Sequence, residues 1–292
     1  MLTHHGQAPT RVVVLGKRGF IAAAAVRALR KRGIEVVALG REELDLLAPD
    51  AAARLSAQLR PSDSLVIVSA HAPVKNNVML IDNLRMIAPV CEVLTASPLA
   101  HVLYASSDAV YKDSALPLSE SSCAEPDSLH GVMHVAREKM LAAAYAGPLC
   151  VVRPTLVYGP GDPHNGYGPN RFRRDAAAKG EITLFGGGEE HRDHIYIDDV
   201  GEIVARCVAQ RTAGVVNAAT GVVTSFSDIA EQVARLSERD VAIKRAPRSG
   251  PMPHGGYRPI DVSALHTAFP DFELTPLASG LAASQRAEGV HA

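Results

Sequence analysis

The chain has 292 residues, of which 47% are hydrophobic, so it is long enough for one large α/β domain or for a domain with a smaller lobe. Its formal net charge of −1 gives no electrostatic reason to expect nucleic acid or an anionic membrane as a partner, and its 4 cysteines form no C-x-x-C pair that would suggest a zinc knuckle or a disulfide framework. The first residues lack the apolar core of a signal peptide, and no apolar run approaches roughly 20 residues, so we expect a cytoplasmic protein without a membrane span.

Residues 11–33 contain a predicted strand, a glycine turn and a helix. The aliphatic run RVVVL at 11–15 is typical of a strand buried on both faces, and an Ala-rich, helix-favouring run follows it. Between them, Gly16 allows a sharp turn and Gly19 lets backbone N–H groups approach a phosphate, beside the unpaired donors of the helix N-terminus. We interpret this stretch as a dinucleotide site. An ordinary βα turn with two glycines is the alternative that the spacing leaves open.

The end of the second predicted strand indicates which dinucleotide is bound. Residues 35–39 form this strand, and in an NAD site an acidic residue near its end contacts the ribose. Gly40 and Arg41 occupy that place in this chain. A guanidinium suits a 2′-phosphate better than a bare ribose, so NADP is favoured over NAD. A solvated loop arginine is the alternative.

Further strands and helices alternate along the chain. We predict strands at 64–69, at 101–105, from 150 and at 214–219, and helices within 44–60 and at 77–97, 129–146 and 227–235. This alternation predicts an α/β fold with a doubly wound parallel sheet (Rossmann). We place the NAD(P)-binding Rossmann domain at 9–165 and a smaller C-terminal substrate-binding lobe at 166–292, with roughly 193–237 packing back on the Rossmann sheet.

Six separated segments carry a family resemblance. They are LGKRGFIA at 15–22, ASSDAVY at 105–111, VVRPTLVYGPGDP at 151–163, HRDHIYIDDV at 191–200, VNAATG at 216–221 and YRPIDVS at 257–263. In order and spacing they resemble the extended short-chain dehydrogenase/reductase family of nucleotide-sugar epimerases, dehydratases and ketoreductases. The resemblance implies bound NAD or NADP, a nucleotide diphosphate sugar in the C-terminal lobe and a homodimer. The residues that we predict to contact the cofactor are Gly16, Gly19, Arg41, Asp45, Ala70 and His134.

The catalytic set of that family is altered in this chain. Ser107 stands at the hydroxyl position, but in the register set by Gly131 and Glu138 the Tyr and Lys of Y-x-x-x-K are replaced by His130 and His134. Three alternatives stay open. His130 replaces the Tyr as proton carrier, or the site binds ligands without redox chemistry, or the pair does other chemistry. We predict no metal site, because no third ligand is evident beside the two histidines.

The spacing of His130 and His134 also predicts how they titrate. Residues at i and i+4 lie on one helix face, so both rings point into the same site. Two imidazolium cations at this spacing repel each other, which lowers the first pKa and keeps one ring neutral at pH 7. A neutral imidazole is suited to general acid–base work.

Four residues are assigned to the substrate. Arg192 and Arg258 match family arginines that clamp the pyrophosphate, a role that suits the guanidinium fork. Asp108 is expected to hydrogen-bond the sugar, or else to cap a turn, and Asn170 is expected to touch the same ligand. A dehydratase is disfavoured because Ala109 follows Asp108, where the family dehydratases carry adjacent Asp and Glu.

The leading hypothesis is an NAD(P)-dependent nucleotide-sugar enzyme that epimerises C4 by hydride transfer. NADPH-dependent reduction of a 4-keto sugar is the nearest alternative, favoured by Arg41 and the REELDL stretch at 41–46. A non-catalytic sensor or binding protein, which retains the cofactor and has lost Y-x-x-x-K, is the alternative from a different class.

Overall fold

The computed structural model describes residues 2–289. The strands are β1 Thr3–His4, β2 Arg11–Leu15, β3 Glu35–Leu39, β4 Ser64–Ile67, β5 His101–Ala105, β6 Leu149–Pro154, β7 Leu156–Tyr158, β8 Glu181–Phe185, β9 His191–Tyr196, β10 Thr212–Ala218, β11 Val223–Ser225, β12 Ala242–Ala246 and β13 Tyr257–Arg258. The helices are α1 Phe20–Lys31, α2 Ala51–Gln58, α3 Asn77–Ala96, α4 Leu129–Ala144, α5 Pro169–Lys179, α6 Ile197–Ala209, α7 Phe226–Leu236, α8 Ser263–Ala268 and α9 Leu277–Gly289. No helix in this part of the chain is both long and apolar enough to cross a bilayer.

The main sheet of the described residues has 7 strands in the order β1-β10-β6-β5-β4-β2-β3. Neighbouring strands are parallel except for β1, which pairs antiparallel with β10. The residues Val12, Val13 and Val14 of β2 are fully inaccessible, as expected for a strand that is covered on both faces. The carboxyl ends of β2 to β5 therefore meet at one edge of the sheet, where ligands bind in folds of this class.

Helices cover both faces of this sheet. On one face, α1 and α6 pack together over Val12 and Val14. On the other face, α2, α3 and α4 cover Val13 and Leu15. This arrangement confirms the doubly wound Rossmann sheet predicted from the sequence, and the predicted strands at 11–15, 35–39 and 101–105 have the same bounds in the structure.

The remaining elements form a smaller group beside the main sheet. Strand β9 pairs with β7, β11 and β13, and β8 pairs with β12. Helices α5, α7 and α9 enclose an apolar cluster that includes Phe172, Phe226 and Leu281. The stretch 193–237 was predicted to pack back on the Rossmann sheet, and only part of it does so. Helix α6 and β10 do so, whereas β11 is hydrogen-bonded to β9 and α7 packs on α5. The domain boundary near residue 165 stays a prediction.

Candidate active site

The turn after β2 depends on its glycines. Gly16 has a φ of +105°, and a Cβ at this position would lie 2.8 Å from the backbone nitrogen of Ser69, just after β4. The backbone N–H groups of Gly16 and Lys17 both donate to the Leu39 carbonyl, at 2.9 and 3.1 Å. Gly19 is the N-cap of α1, and no side chain of the described residues caps this helix. The N–H groups of its first turn can therefore bind an anion.

A cavity of about 240 Å³ opens beside this turn. It is lined by the glycine turn, the segment after β3 and the segment after β4. The predicted cofactor residues in its lining are Gly16, Gly19, Arg41, Asp45 and Ala70. A turn that only glycine can form, next to an uncapped helix N-terminus, fits the pyrophosphate of a dinucleotide.

Charged side chains are paired with one another around the end of β3. Arg41 is largely exposed, and its Nε donates to Asp45 Oδ2 at 3.2 Å. Lys17 Nζ donates to Glu43 Oε1 at 2.6 Å, and together with the Gly40 N–H it lowers the pKa of Glu43 to about 2. Arg41 thus lies in the cavity wall, where a contact with a 2′-phosphate is possible, and its present partner is a carboxylate.

The predicted hydroxyl residue lies in the turn after β5. Ser107 caps a 3₁₀ turn at Asp108–Val110, its Oγ accepting a hydrogen bond from the Ala109 N–H at 3.1 Å. The Ser107 hydroxyl is 3.4 Å from Asp108 Oδ1. Ser107 and Asp108 are therefore presented side by side at the carboxyl edge of the sheet.

Helix α4 begins directly against this turn. Ser128 caps the helix by accepting the Gly131 N–H at 3.2 Å. A Cβ on Gly131 would lie only 2.1 Å from the Ala109 carbonyl oxygen, so glycine is what allows this close approach. The approach brings His130 within electrostatic range of Asp108.

His130 lies partly buried beside this turn. Its Nδ1 is buried and has no hydrogen-bond partner among residues 2–289. Burial lowers the pKa of His130, while the Asp108 carboxylate raises it by a smaller amount. The ring is consequently neutral at pH 7, which is the form that a general base requires.

His134 lies one turn further along α4 and is almost completely buried. Its ring centroid is 4.7 Å from that of His130, in an edge-on arrangement, and its Nδ1 is 2.7 Å from the Tyr104 hydroxyl. Burial lowers the pKa of His134 well below its usual value, and His130 adds a smaller effect. The pKa falls in the predicted direction. Burial, and not repulsion between the two rings, is the main cause.

Arg192 and Arg258 lie directly opposite each other on β9 and β13. Like charges in this arrangement repel, and nearby carboxylates compensate for them. Arg192 pairs with Glu190, whereas Arg258 pairs with Asp113 and donates from Nε to Asp108 Oδ2 at 3.2 Å. The structure thus brings together two adjacent guanidinium groups and Asp108. Two guanidinium groups side by side have the geometry that a pyrophosphate requires.

Asn170 is bonded to the backbone around it. Its Oδ1 accepts the Gly159 N–H at 3.1 Å, and its Nδ2 donates to the Val157 carbonyl at 3.3 Å. The amide therefore holds the end of β7 against α5, a structural use that the sequence does not reveal. Contact of Asn170 with a ligand stays a prediction.

A model of the NAD dependent epimerase/dehydratase family matches residues 12–219. The match runs from β2 to the loop after β10 and includes the glycine turn, Ser107 and α4. The chain belongs to this family.

Two relatives with named enzymatic activities are similar to this chain over most of its length and most of theirs. The dTDP-4-dehydro-6-deoxy-D-allose reductase of Streptomyces bikiniensis is 26% identical, over 94% of this chain and 95% of its own. The GDP-L-fucose synthase of Escherichia coli is 26% identical, over 77% of this chain and 81% of its own. The fold is that of the UDP-N-acetylglucosamine 4-epimerase from Methanobrevibacter ruminantium, with a TM-score of 0.85 and 20% identity over 98% of this chain and 100% of that one.

The structure adds residues that sequence reasoning missed. Tyr104 lies within β5 and is indistinguishable in sequence from an ordinary core residue. Arg137 follows His134 by three positions on α4, a spacing that places both on one helix face and that could have been noticed. In the sequence, Glu138 was used only to place the Y-x-x-x-K register on α4. In the structure it forms a buried ion pair with Arg153 at 2.6 Å.

No group of three or more His, Cys, Asp or Glu side chains within residues 2–289 is arranged to hold a metal ion. Other histidines of this region are used within the fold. His101 Nε2 is 2.9 Å from the Thr212 carbonyl oxygen. His194 is buried beside the ring of Phe226, at 5.6 Å between centroids.

Proposed function

We propose that this family member modifies a nucleotide diphosphate sugar by NAD(P)-dependent hydride transfer, and that its reaction is epimerisation at C4. The observation that carries the proposal is the neutral His130, held against the turn that presents Ser107 and Asp108. A proton acceptor beside a hydroxyl donor is what oxidation of a sugar hydroxyl needs from the protein.

The cofactor would be held by the glycine turn and the N-terminus of α1, with Arg41 and Asp45 at the end of β3 and Ala70 after β4. A bound nicotinamide would supply the acceptor, and then the donor, of the hydride at the sugar carbon. Arg41 favours NADP, because a guanidinium pairs with a phosphate more strongly than with a ribose hydroxyl.

The protein's own residues move and stabilise the proton. His130 accepts the proton of the sugar hydroxyl as the carbon is oxidised, and it gives the proton back when the ketone is reduced. Ser107 hydrogen-bonds the reacting oxygen in both directions. The overall reaction consumes neither hydride nor proton, so no external oxidant or reductant is needed.

The lowered pKa of His130 favours epimerisation over reduction. An epimerase starts by removing a proton, which the neutral ring can do at pH 7. A reductase starts by donating a proton, and a ring whose pKa is lowered by burial carries little of the charged form at neutral pH.

The substrate proposal rests on Arg192 and Arg258. We infer that the pyrophosphate of a nucleotide sugar binds between these guanidinium groups and takes the place of their present carboxylate partners. The names of the relatives, which refer to dTDP and GDP sugars, agree with this class of substrate.

NADPH-dependent reduction of a 4-keto sugar is the second candidate. It is favoured by the similarity to a dTDP-keto-sugar reductase over 94% of this chain and by the position of Arg41 in the cavity wall. In this reaction NADPH would be consumed in proportion to product.

The test is a panel of UDP, dTDP and GDP sugars, each incubated with the protein and with NAD or NADP. Epimerisation gives a C4 epimer by NMR with no net change in nicotinamide absorbance. Net oxidation of NADPH with a 4-keto sugar supports the reductase. Binding of several sugars without turnover of any supports the sensor hypothesis.

The homodimer stays a prediction, which light scattering tests.

A further inference from the structure

Arg137 is a buried cation without a counter-ion. It is fully inaccessible, and it forms no ion pair within the described part of the chain. Its Nη1 donates to the Ser69 carbonyl at 2.9 Å, while Nε and Nη2 have no partner among these residues. A buried charge without a partner is costly, so its presence needs an explanation.

The guanidinium lies over an aromatic ring that is itself bonded to His134. The central carbon of Arg137 is 5.2 Å from the ring centroid of Tyr104, within the range of a cation–π contact. The Tyr104 hydroxyl is 2.7 Å from His134 Nδ1. Arg137, Tyr104 and His134 thus form a continuous buried cluster below His130.

The chemistry of this cluster favours one direction of the hydrogen bond between Tyr104 and His134. Burial raises the pKa of Tyr104 to about 12, so its hydroxyl keeps its proton. The other acceptor within reach is the Met133 sulfur at 4.0 Å, which is weaker than an imidazole nitrogen. These groups favour donation from the hydroxyl to Nδ1, which would leave the His134 proton on Nε2.

We propose that Tyr104 and Arg137 are positioning residues that replace the missing lysine of the family: Tyr104 holds His134 as the Nε2–H tautomer, and Arg137 places a positive charge over the Tyr104 ring that, together with burial, disfavours protonation of His134. His134 then offers a fixed, uncharged donor at the position of the lysine ammonium. The consequence for catalysis rests on the proposed function, whereas the tautomer and charge of His134 do not.

The charged groups around His134 agree with this assignment. On its own helix, His130 and Arg137 both lower its pKa. On β5, Tyr104 is neutral. Glu138, the nearest carboxylate along the helix, is taken up by Arg153 on β6. Two further groups act on His130: Asp108, in the turn after β5, raises its pKa, and His164 lowers it.

The first experiment uses the unmodified protein. Nitrogen NMR of ¹⁵N-histidine-labelled protein, with His134→Gln to assign the signal, distinguishes a protonated from an unprotonated ring nitrogen. We expect Nδ1 to be unprotonated and Nε2 protonated, and the preference to be lost in Tyr104→Phe. A proton on Nδ1 in the unmodified protein would overturn the proposal.

The second experiment removes the charge. Arg137→Met should raise the titration midpoint of His134 by roughly one pH unit, an effect of the size that a neighbouring charge has. Arg137→Lys, which keeps the cation, should leave the midpoint close to that of the unmodified protein. Lys139→Met removes an exposed cation from the same helix and serves as the matched control. Equal midpoints in Arg137→Met and in the control would show that Arg137 is merely structural.

The kinetic arm separates this proposal from the proposed function. If a substrate is turned over, the acid limb of its pH profile should stay at the midpoint set by His130. Below that limb, protonation of His134 should add a further loss of turnover that begins at higher pH in Arg137→Met than in Arg137→Lys. If no substrate is found, the NMR results still decide the state of His134.

Discussion

At the scale of single residues, in the proposed role the imidazole of His130 would differ from the phenol of the family's tyrosine in the pH at which it accepts a proton. A free phenol has a pKa near 10, so it needs a nearby cation before it can act as a base at neutral pH. An imidazole starts near 6.5, and burial of His130 lowers its pKa further. Under the proposed mechanism, the base would need no lysine to lower its pKa.

The first prediction follows from this role. His130→Ala should remove nearly all turnover, because the proton then has no acceptor, while affinities for NAD(P) and for the sugar nucleotide stay unchanged. In the unmodified protein the rate should fall on the acid side as the ring protonates, with a midpoint below the ordinary histidine value. Steady-state kinetics against pH and calorimetry measure these effects. His266→Ala, at an exposed position on α8, is the control. Full activity of His130→Ala would show that the proton travels elsewhere.

The second prediction concerns the choice of cofactor. Arg41→Ala should weaken NADP binding about ten- to a hundredfold and leave NAD binding unchanged, because a charge-assisted contact to the 2′-phosphate is lost. Calorimetry with both cofactors tests this, with Arg30→Ala at the far end of α1 as control. Tighter binding of NAD than NADP by the unmodified protein contradicts the preference.

At the scale of elements, α4 is attached to the sheet by one buried ion pair. Glu138 accepts hydrogen bonds from Arg153 Nε at 3.0 Å and Nη2 at 2.6 Å, and from the Ser106 hydroxyl. Both charged side chains are nearly inaccessible. This contact fixes the helix that carries His130 and His134 against β5 and β6.

The third prediction is that Glu138→Ala lowers the free energy of unfolding by about 3–5 kcal/mol, because it leaves Arg153 buried and unpaired. Urea unfolding measures the loss. The double variant Glu138→Leu with Arg153→Met should recover most of it. Glu125→Ala, which breaks the exposed pair with Lys112, should change stability by no more than about 1 kcal/mol. A loss that small in Glu138→Ala would show that α4 is held otherwise.

A buried histidine in β9 makes stability depend on pH. Neither ring nitrogen of His194 has a hydrogen-bond partner in the described part of the chain, and burial lowers its pKa to about 3. The folded state therefore keeps this ring neutral, whereas the unfolded chain takes up a proton below about pH 6.5. Stability is complete above that pH and is lost progressively as the pH falls towards 3.

The fourth prediction is that His194→Phe removes this dependence. At about pH 5, the unmodified protein should lose roughly 2 kcal/mol through this group compared with neutral pH, and the variant should not. Urea unfolding at both pH values measures the difference, with His266→Phe as an exposed control. Parallel pH dependences in the unmodified protein and His194→Phe would contradict the account.

At the scale of the whole molecule, sequence patterns predicted the main sheet well and the site only partly. Buried parallel strands are continuous aliphatic runs, so β2, β3 and β5 could be bounded closely. The glycine turn was predictable because Gly16 needs both a positive φ and a close approach to Ser69. The strand predicted at 214–219 could be read from its own residues as returning to the main sheet, whereas the pairing of β11 with β9 depends on contacts distant in sequence.

The parts that escaped prediction are those in which one side chain compensates for another. A tyrosine inside β5 looks like core until the structure places its hydroxyl on His134. The carboxylates that pair with Arg258, Asp108 and Asp113, come from a distant segment of the chain, so no local pattern joins them. Glu190, which pairs with Arg192, is only two residues away. The pKa values of the two histidines depend mainly on burial, which spacing alone does not reveal.

The central claim is that a hydride leaves and returns to the same sugar carbon while His130 carries the proton. The most direct measurement uses a nucleotide sugar deuterated at C4, incubated with the protein and NAD(P) and followed by NMR. We expect inversion at C4 with the deuterium retained and no net reduction of the cofactor. Inversion with loss of deuterium to water, or binding of the sugar without any change at C4, would contradict it.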